Sequence, residues 1–291
     1  MLATAHRGPS VVPALLHDGS ARDLRPGGVR SIQELVTAGR QSALDTLRRL
    51  DPGSLPLIDD DLTIWAPPLT PPRNVFCTGA NYEAHVAEGA HAAQGFGDEP
   101  VIFTKPVTCL VGDGSPVPLH PQATSQVDWE GEVGIVIGRP GADIGRPRAW
   151  DHVVGFCLAN DVSARDLQRN GGYSRPQWFK GKSLDGHLPM GAVVITDEPE
   201  ELAAITTFRV LLNDEPVQEG ALRDLHHTVP DLISYLSRGM RLLPGDVLLT
   251  GTPAGVGTSM RPPRFLQEGD VVRIESALLG SLTNRFVAEA S

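Results

Sequence analysis

The sequence predicts an α+β protein rich in strands, and three observations carry that prediction. Short apolar runs punctuated by turn residues recur throughout the chain beyond residue 72. Clear helical periodicity is confined to two stretches. Glycine (31) and proline (25) together make up about a fifth of the 291 residues, above the ~12% of an average protein, and they are spread along the chain as turn formers.

The first helical stretch covers residues 31–50 (SIQELVTAGRQSALDTLRRL). Ser31 and Glu34 form a capping box at its start, and Ile32, Leu35, Val36, Leu44 and Leu47 fall at helical spacing. Asp51-Pro52-Gly53 stops it. The run Ala66-Pro67-Pro68-Leu69-Thr70-Pro71-Pro72 reads as a linker, dividing a small N-terminal domain (1–70) from a main domain (71–291). Strand-like runs follow at Val133–Ile137, Val153–Leu158, Ala192–Thr196, Phe208–Leu212, Val247–Thr250 and Val271–Ile274. Asn213-Asp214 sits between two such runs as a hairpin turn. Thr228 to Met240 is the second helix, with Pro230 in its first turn and Leu232, Ile233 and Leu236 on one face. The strands do not alternate with helices, which points to a mixed or antiparallel sheet system rather than a Rossmann fold.

Composition narrows the function. The chain carries 25 basic and 35 acidic side chains, a net charge of −10 with histidine neutral, which argues against a nucleic-acid partner. No apolar run reaches the ~18 residues of a membrane span, so no membrane partner is expected. In the first twenty residues Pro9, Pro13 and His17 interrupt any signal-peptide core, and a cytoplasmic location is the expectation. Cys77, Cys109 and Cys157 sit among apolar neighbours without CxxC spacing and read as reduced core thiols.

Several phosphate and hydrolase motifs are absent. Gly181-Lys182-Ser183 resembles the end of a P-loop, but the required earlier glycine is Pro176. There is no HExxH, no GxSxG elbow and no GxGxxG between a strand and a helix. The segment 251–257 (GTPAGVG) is glycine-rich but lacks a phosphate-binding lysine, and taken alone it is a tight loop.

Acidic residues carry the strongest chemical signal. In the segment 127–137 (VDWEGEVGIVI), Glu130 and Glu132 are two apart, so in a strand they share a face with Asp128. Two carboxylates at that spacing can converge on a hard cation of Mg²⁺ type. Acidic alternation also suits a solvated strand face, but here the carboxylates run into the apolar segment Val133–Ile137, which suits a buried strand. Buried like charges need a cation or protons to neutralise them. Asp161 ends the run Val153–Leu158, a position open to a ligand role or to a helix N-cap. His85 and Glu88 are three apart and face the same way on a helix, so the carboxylate can orient the imidazole as a base. Surface helices also carry such pairs by chance.

Taken in order, these pieces resemble the fumarylacetoacetate hydrolase superfamily. The series runs Asn81-Tyr82-x-x-His85-x-x-Glu88, Phe103-Thr104-Lys105-Pro106, Asp128-Trp129-Glu130-Gly131-Glu132 and the 160–168 segment NDVSARDLQ. Gln177-Trp178, Lys182-Ser183-Leu184-Asp185-Gly186, Pro244-Gly245-Asp246 and the 251–257 loop follow, covering roughly residues 73–291. The resemblance implies a mixed β-sandwich-roll catalytic domain behind a small N-terminal domain, usually as a homodimer. It implies Mg²⁺ or Mn²⁺ held by Glu130, Glu132 and Asp161. It implies substrate contacts for Lys182 and Gln168 beside the metal, with Arg165 and with Thr252 holding a carboxylate. His85 and Glu88 match the dyad of acylpyruvase-like members, borne on a lid. Fumarylacetoacetate hydrolase proper is longer and has a further metal-site aspartate where this chain has Asn81, which favours a smaller acylpyruvate as substrate. The segment Gly89–Pro100, with His91, reads as a mobile lid that sets substrate choice.

The physical account agrees with the resemblance. Three carboxylates and Mg²⁺ leave one negative charge, which would repel an anionic 2-oxoacid unless Lys182 compensates. Polarising the 2-oxo group stabilises the enolate that C–C hydrolysis of an acylpyruvate releases. The expected partner is therefore a small anionic 2-oxoacid. The same chemistry serves decarboxylation, tautomerisation, isomerisation and hydration of 2-oxo acids, in catabolism or biosynthesis. A non-catalytic metabolite-binding module would be marked by loss of a ligand or of the dyad, and neither is lost.

Overall fold

The computed structural model describes residues 1–7, 10–58, 65–69, 73–88, 97–170 and 176–288. Three sheets dominate it. A six-stranded central sheet has the order Val194–Ile195, Val153–Asn160, Gly131–Ile137, Val247–Leu249, Val75–Gly79, Val101–Lys105. Its neighbours are antiparallel except for the parallel pair Val247–Leu249 and Val75–Gly79. A five-stranded sheet packs on one face, in the order Glu215–Ala221, Thr207–Leu212, Val271–Ser276, Gly280–Val287, Val117–Pro118. A second five-stranded sheet comes from the N-terminal residues, with strands at Leu2–Arg7, Ser10–His17, Ser20–Asp23, Leu57–Ile58 and Trp65–Ala66.

The central sheet is buried on both faces. Val133, Ile135 and Ile137 point into one core with Val210, Ile274, Leu282 and Phe286. Val136, Val154 and Cys157 point into the other with Leu2, Leu24, Ile32, Leu35 and Val36. This is why Gly131–Ile137 is buried at every position and reads as a continuous apolar run rather than an alternating one. Leu2 also bridges Val193, so the N-terminal strands are tied to the central sheet by hydrogen bonds as well as by packing.

Several elements fall where the sequence places them. Asn213 and Asp214 both have positive φ (52° and 67°), as a two-residue hairpin turn requires, and they join two antiparallel strands. Thr228 caps the helix Val229–Leu236 in a reciprocal box with Asp231, and Leu232, Ile233 and Leu236 are buried. That helix stops at Leu236, short of Met240. The strand expected over Ala192–Thr196 is confined to Val194–Ile195.

Residues 31–50 are not one helix. Ser31 accepts from the Glu34 amide as a cap, while the Glu34 carboxylate turns to Arg30. The helix ends at Thr37, and a second runs from Arg40 to Arg48. Gly39 lies between them at φ 86°, a left-handed conformation that continuous helix excludes and glycine adopts freely. Of the Pro-rich stretch Ala66–Pro72, residues 70–72 lie outside the described residues, as do residues 89–96 of the expected lid, His91 among them.

All three cysteines are buried and unpaired. Burial pushes the Cys109 thiol up to about 11 and that of Cys157 up to about 12. His187 is fully buried beside His120. Its Nε2 bonds the Pro118 carbonyl, and its Nδ1 has no partner. Burial, with the nearby Lys105 charge, pushes the ring down to about 3, so it is neutral when folded.

The unfolded chain therefore takes up a proton at His187 that the folded chain refuses between about pH 6.5 and pH 3. Stability must fall as pH drops through that window, by up to about 1.4 kcal/mol per pH unit. His187→Gln keeps a donor for Pro118 and removes the titration. Urea unfolding at pH 7 and pH 5 should show a loss about 1–2 kcal/mol smaller in the variant than in the parent. Equal losses would remove His187 as the source.

Candidate active site

Strand register builds the site. Gly131 pairs with Asn160 at the end of the antiparallel ladder, so Glu130 and Asp161 leave the sheet opposite one another. Two hydrogen bonds lock them: the Asp161 amide donates to the Glu130 carbonyl at 2.9 Å, and the Glu130 amide to Asn160 Oδ1 at 3.0 Å. Glu132 is the second residue of the strand. One carboxylate oxygen from each of Glu130, Glu132 and Asp161 lies within 4.8 Å of the others, and all three residues are buried.

Asp128 does not join them, contrary to the shared face expected from spacing. The strand breaks at Trp129 and Glu130, and Val127–Asp128 pairs instead with Ser163–Ala164. The Asp128 carboxylate accepts from Arg165 Nε at 2.8 Å and from the amides of Trp129, Gly257 and Thr258. It fastens a loop and an arginine.

Three cations enter the cluster. Lys182 Nζ lies 2.6 Å from Glu130 and 2.7 Å from Asp161. Lys105 Nζ lies 2.7 Å from the other Asp161 oxygen and 2.9 Å from the Val162 carbonyl. Arg165 Nη1 lies 2.6 Å from Glu130 and 3.1 Å from Gln168 Oε1. Sequence reading assigned no role to Lys105. The only signal was its place in the Phe103–Pro106 motif, because the Lys105–Asp161 contact joins residues 56 apart.

Four carboxylates meet three cations, and geometry makes Glu132 the one left without a cationic partner. Among the described residues Glu132 has no cation at ion-pair distance, and its Oε2 accepts only from the Gly251 amide at 2.8 Å. Burial, with Asp161 and Glu130 beside it, pushes its carboxyl well above the usual range. Burial also acts against the charged form of Glu130, but Lys182 and Arg165 outweigh it and hold that carboxyl well below the usual range. Burial opposes the charge of Lys182 as well, and Asp161 and Glu130 outweigh it, keeping the ammonium charged. A divalent cation fits such a set: three converging oxygen ligands, one of them with no cation of its own.

Glu130 of the triad lines a cavity of about 410 Å³. His85, Phe103, Glu130, Arg165, Gln168, Trp178, Lys182 and Thr252 line it, which brings together most of the residues expected from the sequence. His85 and Glu88 lie on the short helix Glu83–Glu88, with Nδ1 2.9 Å from the carboxylate. Glu88 also accepts from the Gly255 amide at 2.9 Å, so one carboxylate joins the histidine to the 251–257 loop. Thr252, on the cavity wall, also holds its surroundings in place. Its hydroxyl donates to the Gly131 carbonyl and accepts from Gln218 Nε2. Asn81 is fully buried and bonds only backbone: Nδ2 to the His227 and Thr250 carbonyls, Oδ1 from the His227 amide. It pins two segments behind the site and offers no metal ligand.

No helix among the described residues is long and apolar enough to cross a membrane. Comparison with known proteins agrees with the geometry. The family described as fumarylacetoacetate hydrolase C-terminal matches residues 74–287. Oxaloacetate tautomerase YisK of Bacillus subtilis is 40% identical over 229 residues, covering 77% of this chain and 73% of that protein. A fumarylacetoacetate hydrolase structure from psychrophilic Exiguobacterium antarcticum superposes with a TM-score of 0.84 at 34% identity, covering 99% of each chain. A probable 2-hydroxyhepta-2,4-diene-1,7-dioate isomerase from Mycobacterium abscessus superposes with a TM-score of 0.78 at 28% identity, covering 100% of this chain and 99% of that one. This chain belongs to the fumarylacetoacetate hydrolase family, whose members are enzymes acting through a strand-rich fold of this kind.

Proposed function

We propose that this chain is a Mg²⁺- or Mn²⁺-dependent hydrolase that cleaves a C–C bond in an acylpyruvate or related β-diketo acid, acting as a homodimer. The observation that carries this reading is the His85–Glu88 pair, whose histidine lines the same cavity as Glu130. Glu130, Glu132 and Asp161 would hold the cation. When bound, the cation polarises the 2-oxo group of the substrate and favours an enolate leaving group.

The chain's own groups do the rest. His85 Nδ1 donates to Glu88, leaving Nε2 as the basic nitrogen. Nε2 takes a proton from water as the water oxygen attacks the acyl carbonyl. The bond between that carbon and C3 breaks, and the proton on His85 passes to C3, giving a carboxylic acid and pyruvate. Gln168 Nε2 and Arg165 Nη2 remain as donors for an anionic 2-oxoacid on the cavity wall.

A second reading is tautomerisation of an oxaloacetate-type acid, which the 40% identical tautomerase favours. His85 would then move a proton between C3 and the enol oxygen without water. Acetylpyruvate and oxaloacetate, each with Mg²⁺ and with EDTA, separate the two by NMR. The proposal expects metal-dependent release of acetate and pyruvate from acetylpyruvate. Metal-dependent loss of the oxaloacetate enol without cleavage of acetylpyruvate would transfer the assignment to the tautomerase.

Two variants test the parts. His85→Ala should lower hydrolysis by about 10²–10⁴-fold and leave 2-oxoacid binding in place. Hydrolysis at the parental rate would dismiss His85 as the base. Glu132→Gln removes a ligand without breaking an ion pair, so the fold should persist while Mg²⁺ binding, read by calorimetry, weakens about 100-fold or more. Unchanged Mg²⁺ affinity would remove the triad as the metal site.

A further inference from the structure

A side chain 87 residues away holds the backbone between two members of the carboxylate triad. Gly131 separates Glu130 from Glu132. In a central strand alternate residues bond alternate neighbours. Glu130 bonds the Asp161 amide and Asn160 Oδ1 on one side, and Val133 takes its donor from Thr250 on the other. Gly131 faces the Thr250 side, but the strand Val247–Leu249 ends opposite Gly134 and offers it no ladder partner. Buried peptide groups left in that position must be satisfied some other way.

Two side chains from outside the strand do so. The Gly131 amide donates to Gln218 Oε1 at 3.1 Å, and the Gly131 carbonyl accepts from the Thr252 hydroxyl at 2.9 Å. Gln218 Nε2 closes the ring, donating to Thr252 Oγ1 at 2.8 Å and to the Pro253 carbonyl at 2.7 Å. Gln218 is buried, and both its amide hydrogens and its oxygen are engaged.

Two features of the chain aim it there. Val210 pairs with Gln218 but Leu211 pairs with Pro216, so Val217 is an extra residue, a β-bulge of the kind that re-aims a neighbouring side chain. A Cβ on Gly131 would lie 2.2 Å from Val210 Cγ2, so the two sheets approach this closely only over glycine. The same glycine is the most freely flexing residue the chain could place between two ligands. Held at both amide and carbonyl, it can no longer let Glu130 and Glu132 drift apart. That matters for the choice of ion. Mg²⁺ requires near-ideal octahedral oxygens at about 2.0–2.1 Å, whereas Ca²⁺ accepts irregular sets at about 2.3–2.6 Å. Fixed carboxylate spacing works against the larger ion.

We propose that Gln218 is a positioning residue: through Gly131 it holds Glu130 and Glu132 at the spacing of a small divalent cation, and so makes the site select Mg²⁺ over Ca²⁺. The inference rests on the reading of the triad as a metal site, but not on which reaction that site performs.

Calorimetric titration of the full chain with Mg²⁺ and with Ca²⁺, in the absence of substrate, tests it. Gln218→Met keeps the length of the side chain and removes its three hydrogen bonds. It should weaken Mg²⁺ binding about tenfold or more and Ca²⁺ binding far less, so that the preference for Mg²⁺ falls by about tenfold. Thr252→Val releases the Gly131 carbonyl from the other end of the ring and should shift the preference the same way. Thr252→Ser keeps the hydroxyl and should preserve it. Should Gln218→Met not fold, the two Thr252 variants carry the test. Thermal unfolding of each variant separates positioning from support: a merely structural Gln218 would lower the melting temperature and move both affinities together. A preference unchanged in Gln218→Met or in Thr252→Val, or a parent that binds Ca²⁺ as tightly as Mg²⁺, would overturn the inference. If the parent binds neither ion, the metal-site reading itself fails and the inference falls with it.

Discussion

The pairing register between Gly131–Ile137 and Val153–Asn160 is the constraint on which the rest of the site depends. A slip of one residue would send every side chain of the strand to the opposite face. Glu132 would leave the triad, and Val133, Ile135 and Ile137 would exchange cores with Val136. Both faces are buried, so each core resists the slip independently. The apolar residues that make the strand stable thus also fix the positions of the three carboxylates at its end. Packing and chemistry are specified by one stretch of chain.

Charge accounts for the next layer. Buried carboxylates of like sign cannot stay together without cations, and Lys105, Lys182 and Arg165 supply them from three separate elements. The surrounding polar residues hold the site's loops in place. Asp128 fastens Gly257 and Thr258, Asn81 fastens His227 and Thr250, and Gln218 holds Thr252 and the Pro253 carbonyl. The loop 251–257 is therefore fixed at several points, although its own sequence is mostly glycine and small residues. Rigid support of this kind is what keeps a ligand set within the tolerance that metal binding needs.

Much of this was legible in the sequence. The triad could be read because its members lie at a strand start and a strand end, where spacing of two and proximity to apolar runs are visible signals. The His85–Glu88 pair could be read because helical spacing is local. What could not be read depends on contacts distant in sequence or on breaks in regular structure. Spacing places Asp128 beside Glu130 only if the strand is continuous, and the irregular backbone at Trp129 and Glu130 defeats that arithmetic. Lys105 reaches Asp161 although their strands stand four places apart in the sheet order, a contact no local pattern reveals. Gly39 divided the first helix because one left-handed residue outweighs favourable apolar spacing on either side.

The double burial of the central sheet has a consequence for how such a chain is inherited. The family match begins at residue 74, yet Leu2, Leu24, Ile32, Leu35 and Val36 complete the core that covers Val75, Cys77, Val136, Val154 and Leu249. The stretch shared across the family is therefore shorter than the stretch that must fold together. A chain cut at the family boundary would keep every proposed metal ligand and expose a wide apolar sheet face to water. Recombination at that point would have to deliver a replacement cover along with the site. Diversity in the leading segment is thereby confined to sequences that present an apolar surface of matching shape.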